Sequence, residues 1–132
     1  MSQDNMNAVR RAWGAISSHG ELPFEVWDED LRVDNMPEWP IRGPYEGHEG
    51  LVLWRDDLCE VIENLHIDVR EVIELDDGRV LSIQRATGRA VHTGIEMDVL
   101  WASVLTLRNG KIMHAQGYWT PEQAREAAGL SE

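Results

Sequence analysis

Residues 105–130 read LTLRNGKIMHAQGYWTPEQAREAAGL, and this stretch decides the fold. Apolar residues alternate on both sides of Asn109-Gly110, a dipeptide that accepts the positive φ angles of a tight hairpin turn. Strands over about 90–108 and 111–119 are therefore expected to pair antiparallel. Thr120 offers a side-chain oxygen to cap a helix and Pro121 suits its first position, so a short C-terminal helix follows at once. Upstream, Asp77-Gly78 separates two further runs rich in Val, Ile and Leu, over 65–75 and 79–87. The result is a four-stranded antiparallel meander. Its third strand exceeds the usual length of roughly 3–10 residues, and Gly94 is the expected bulge that bends it.

The first half of the chain reads as helices. Met6, Val9, Trp13 and Ile16 recur at helical spacing over 5–19, and Gly20 is a natural stop. Pro23 opens a brief second helix carrying Phe24, Trp27 and Leu31, which leads into a strand near 31–34. Pro37, Pro40, Gly43, Pro44 and Gly47 then break any regular structure across 35–47. From 48 to 64 an apolar stripe of Leu51, Trp54, Leu58, Val61 and Ile62 returns on a third helix. Helices against one sheet face leave the other face to water or a second subunit.

A chain of 132 residues has room for one domain, spanning 1–132, which can bury a core without covalent staples. The lone Cys59 cannot form an internal disulfide and suits a reducing cytoplasm. No segment approaches the roughly 20 apolar residues needed to cross a bilayer, so no membrane partner is expected. Asp and Glu outnumber Lys and Arg by 24 to 12, for a formal charge of −12. That charge repels phosphate backbones and argues against nucleic acid. The five histidines include no His-x-x-x-His pair, the acids are scattered, and no metal or other cofactor is expected.

This element order, with GPYEGHEGLVLW opening the third helix and the quoted ending closing the chain, resembles the SnoaL-like proteins of the nuclear transport factor 2-like superfamily. The resemblance implies an α+β fold: a cone-shaped, curved antiparallel sheet with three N-terminal helices enclosing a pocket. It does not supply a chemistry, because the fold hosts isomerases, cyclases, dehydratases, epoxide hydrolases and inert binding modules.

The segment LRVDNMP resembles the one carrying the general base of ketosteroid isomerases, which assigns that role to Asp34. In an apolar cavity a carboxylate is poorly solvated, so its pKa rises toward neutrality. Trp13 and Ser103 stand where those isomerases carry their oxyanion donors, and an indole N–H and a hydroxyl are weaker donors than an acid. Scytalone dehydratase-like sites pair an aspartate with histidines, which makes His92 the candidate partner of Asp34. His114 has the opposite parity to Ala115, Gly117 and Trp119 and is expected to point away from the pocket. Positions that carry the charged triad of limonene epoxide hydrolase-like enzymes match Gln84, Ala86 and Gly117 here, so two carboxylates are missing.

Six tryptophans in so short a chain are its most unusual feature. If Ser103 faces the cavity, period two brings Trp101 with it, Trp119 joins from the next strand, and Trp13 and Trp54 come from the roofing helices. Trp13, Trp54, Gln84, Trp101, Ser103, Gly117 and Trp119 are thus the expected ligand-binding residues, and their ligand is a small apolar or aromatic molecule. Two function classes follow. One is a cofactor-independent enzyme of isomerase or cyclase type using Asp34 as base; the other is a non-catalytic binding protein or dimeric scaffold with a degenerate cone. A homodimer is expected through the convex sheet face, where Leu100, Ala102, Val104, Ile112 and Tyr118 alternate outward.

Overall fold

The structure is a computed structural model that describes residues 2–16, 21–39, 41 and 43–130. Helix α1 (Ser2–Gly14) precedes one 3₁₀ turn (Phe24–Val26), strands β1 (Trp27–Asp34) and β2 (Tyr45–Glu46), and helix α2 (Gly47–Val61). Strands β3 (Ile62–Glu74), β4 (Val80–Ala90), β5 (Glu96–Arg108) and β6 (Lys111–Tyr118) follow, then helix α3 (Pro121–Ala127). The last residues expected in the first helix, its Gly20 stop and His19 lie outside the described residues.

The ending forms as its residues dictate. Asn109 and Gly110 take φ of +54° and +78°, and β5 pairs antiparallel with β6 so that Arg108 faces Lys111. Thr120 accepts the Gln123 N–H through Oγ1 at 3.1 Å, with Pro121 opening α3 behind it.

Four features depart from the sequence reading. The second helix is a single 3₁₀ turn and the chain is already extended at Trp27. A four-residue step from Trp27 to Leu31 fits either period, and Asp28 Oδ1 accepts the Asp30 N–H at 2.9 Å, a local bond that competes with helix formation. Among the described residues the sheet has six strands in the order β2-β1-β6-β5-β4-β3, because β1 pairs in parallel with β6, Val33 beside Ala115 and Asp34 beside Gln116. The run 90–108 divides: β4 extends to Ala90, Gly94 takes φ +74° in a turn, and Arg89 faces Glu96 across the hairpin. A hairpin, not a bulge, accounts for its length.

The fourth departure concerns the outer face. Ala124 and Ala128, at the C-terminal end, pack there with Leu75, Leu81, Ile83, Ala102 and Val104 in a second apolar cluster. Ala102 and Val104 are thus buried within one copy of the chain, and Ile112 lies in the opposite, larger core. Of the residues expected to form a dimer face, only Leu100 is exposed, with Tyr118 half-buried. Helix α3 thus covers Ala102 and Val104 of the expected patch and leaves Leu100 exposed.

The larger core lies on the concave face, between the curved sheet and helices α1 and α2. Trp13, Trp27, Trp54, Leu31, Leu51, Leu58, Ile62, Leu105 and Ile112 are fully buried in it. At about 1.5–3 kcal/mol per large side chain, this cluster is the main stabilising element of the fold.

Candidate functional site

Alternation along β5 turns Trp101, Ser103 and Leu105 to the concave face, and the antiparallel register sets Gln84 beside Trp101 and Ser82 beside Ser103. The β5–β6 register adds Gly117 beside Ser103 and Ala115 beside Leu105. Helix α1 brings Trp13 down onto this floor and α2 brings Trp54. The two ring centroids lie 5.8 Å apart, and Trp13 meets Trp101 edge-on at 5.2 Å and Trp27 at 5.9 Å. Edge-to-face indoles at such distances are mutually attractive.

A polar cluster sits inside this aromatic shell. Trp13 Nε1 donates to Ser82 Oγ at 3.1 Å and to Ser103 Oγ at 3.2 Å, and the two hydroxyls are 2.7 Å apart. Gln84 Nε2 donates to Ser103 Oγ at 3.3 Å. All three polar residues are fully buried. Two polar atoms of the concave face, Gln84 Oε1 and Trp101 Nε1, find no partner among the described residues, and neither does Trp27 Nε1.

The cone is nearly full. Trp13, Val33, Asp34, Asn35, Trp54, Trp101, Ser103, Ala115 and Gly117 enclose about 10 Å³, against the roughly 300–1,000 Å³ typical of small-molecule sites. The segment that follows β1 closes the mouth. Its Trp39 is buried against Trp101 and Trp119, at centroid distances of 6.1 and 5.6 Å, and Trp119 Nε1 donates to Pro37 O at 2.7 Å. Gly117 is glycine because this segment approaches it closely. A Cβ there would stand 3.0 Å from Met36 Sδ and 3.6 Å from Asp34 O, so the glycine makes room for the segment and not for open space.

Asp34 does not aim its carboxylate into the cone. Leu31 and Val33 face the core, so Arg32 and Asp34 face outward, where Arg32 Nε donates to Asp34 Oδ2 at 2.8 Å and Nη2 to Oδ1 at 3.1 Å. His114 Nε2 lies 2.8 Å from the same Oδ2. Burial pushes the Asp34 carboxyl up, but hydrogen bonds and charge from Arg32 and His114 outweigh it and hold the pKa below the usual value. The expectation of a poorly solvated base is corrected to that of a stabilised anion. His92, expected beside Asp34, is exposed in the turn after β4, displaced there by the hairpin that divides the 90–108 run. The histidine that does meet Asp34 is His114, which points away from the cone as its parity requires.

The polar residue that β1 delivers to the cone is Asn35. Its Oδ1 accepts from Trp54 Nε1 at 3.0 Å and its Nδ2 donates to Ile41 O at 3.4 Å. Sequence reasoning missed it, although strict alternation from Leu31 and Val33 selects position 35 and rejects 34. Trp13, Trp54, Trp101, Ser103 and Gly117 converge as expected, Gln84 lies on the same floor, and Trp119 instead holds the closing segment. Among the described residues no group of His, Cys, Asp or Glu side chains could hold a metal ion, and no helix is long and apolar enough to cross a membrane.

Residues 8–115 match the sequence model of the SnoaL-like domain. The Bacillus subtilis protein YesE is 26% identical over 111 residues, covering 81% of this chain and 74% of its own. A Burkholderia pseudomallei protein described as nuclear transport factor 2-like superposes with a TM-score of 0.75 at 19% identity, over 96% of each chain. A Catenulispora acidiphila protein of ketosteroid isomerase-like fold, solved in complex with trimethylamine, superposes at 0.69 with 20% identity, over 96% of this chain and 93% of its own. The two structural likenesses extend over 96% of this chain.

Proposed function

Since the chain belongs to the SnoaL-like domain family, we propose that it is a small-molecule-binding protein that takes a compact apolar or aromatic ligand into its cone and holds it without a general base. The observation that carries this reading is the composition of the cone. Indoles of Trp13, Trp54 and Trp101 converge there beside Ala115 and Gly117, and Asp34, the one acidic residue of that lining, has its carboxylate held by Arg32 and His114. Aromatic walls with a few polar groups suit a flat ligand. An isomerase or cyclase role for Asp34 would require its carboxylate to leave both Arg32 and His114 and turn inward, so binding without turnover is the better reading.

Entry exchanges one aromatic ring for another. Trp39 covers Trp101 from the closing segment, and a ligand would take its place. Naphthalene, read by tryptophan fluorescence and by thermal shift, tests this. It should bind the parent weakly and Trp39→Ala roughly 10–100-fold more tightly, because the ring to be displaced holds about 1.5–3 kcal/mol of burial. Absence of a response in both proteins would overturn the reading. A response to trimethylamine but not to naphthalene would replace the apolar ligand with a small cation.

A further inference from the structure

Gln84 and Trp101 are cross-strand neighbours, one on β4 and one on β5, with side chains on the same concave face. Gln84 is fully buried and Trp101 is 4% exposed. The Gln84 amide is oriented by its Nε2 bond to Ser103, and among the described residues its Oε1 is left as an acceptor without a donor. Trp101 Nε1 is, among the same residues, a donor without an acceptor. Each such group is expensive to leave unpaired in an apolar interior. Here the two residues are register neighbours, and their free groups are complementary and not bonded to each other.

We infer that the cone selects a flat ligand bearing a hydrogen-bond donor and an acceptor side by side on one edge, as in a cis-lactam, with its N–H on Gln84 Oε1 and its carbonyl on Trp101 Nε1. This rests on the ligand-binding reading above and adds the chemistry of recognition. A site built to receive a donor rejects an isostere that lacks one, because its own buried acceptor then stays unpaired.

Three bicyclic probes of nearly equal size separate the terms: 2-quinolinone carries the lactam edge, coumarin replaces its N–H with a ring oxygen, and naphthalene has no polar edge. Affinities are measured by tryptophan quenching in the parent and in Trp39→Ala. 2-Quinolinone should bind roughly 10-fold or more tightly than coumarin, the effect of one buried hydrogen bond. Gln84→Met should abolish that preference. Trp101→Phe keeps an aromatic ring and should preserve the preference while weakening both carbonyl probes about 10-fold relative to naphthalene. Naphthalene binding in each variant reports that the cone is intact, and the two variants test the two bonds independently. If coumarin binds as well as 2-quinolinone while naphthalene binds, the inference falls and the ligand-binding reading stands. If the preference survives Gln84→Met, the assignment of the acceptor falls. If no probe binds either protein, both fall.

Discussion

Replacing Ser103 with Ala tests whether the polar cluster under the tryptophans is a working part of the core. Ser103 Oγ joins Trp13, Ser82 and Gln84. After Ser103→Ala, Trp13 Nε1 keeps Ser82, but Gln84 Nε2 loses the one partner that orients it, in a fully buried position. An orphaned buried polar group costs about 1–3 kcal/mol. For a domain between the small and medium size classes, roughly 4 °C per kcal/mol converts this to a Tm lower by about 4–12 °C. Urea unfolding followed by tryptophan fluorescence gives the free energy directly. A double-mutant cycle with Gln84→Met sharpens the test, since removing both partners leaves neither of them alone. The double variant should be less destabilised than the sum of the two single ones by about 1 kcal/mol or more. A Ser103→Ala protein within about 0.5 kcal/mol of the parent, or a strictly additive cycle, would refute the argument.

Two further expectations concern titration. Asp34 has a lowered folded pKa, so the stability it contributes is present above the unfolded value near 3.9 and is lost as pH falls through the folded one. The stability gap between parent and Asp34→Asn should therefore hold steady down to about pH 5 and close below about pH 4, and a gap unchanged at pH 3 would contradict the Arg32–His114 clamp. Tyr45 is pushed up to about 12, first by burial and then by its 2.8 Å hydrogen bond to Asp57, and burial also raises Tyr118. Stability from Tyr45 should be intact below about pH 10 and fade as pH rises above it. Tyr45 should not ionise near pH 10 in the folded protein, which the phenolate absorbance checks.

Much of the fold was legible because its signals are local. Asn109-Gly110, Asp77-Gly78 and Thr120-Pro121 each act over two to four residues, so hairpins and cap follow from neighbouring side chains and backbone sterics alone. The tryptophans at helical and alternate spacing were legible in the same way, and they converge in the core. The pairing of β1 with β6 was not legible, because it joins segments about 80 residues apart through backbone bonds that any side chain could make. That pairing brings the Asp34 carboxylate to His114 and so engages it although Asp34 itself borders the cone.

Periodicity alone determined that Asp34 opposes Val33 and that His114 opposes Ala115; a motif likeness obscured the first of these and left the second intact. Only the tertiary structure decided what occupies the cone. Trp39 and Met36 belong to a stretch rich in Pro and Gly whose path depends on contacts with Trp101, Trp119 and Gly117, and those partners lie far along the chain. The same holds for Gln84 and Trp101. Alternation puts each on the concave face, but which of their polar atoms remain unpaired depends on packing from every direction at once, a property of the closed core and of no segment within it.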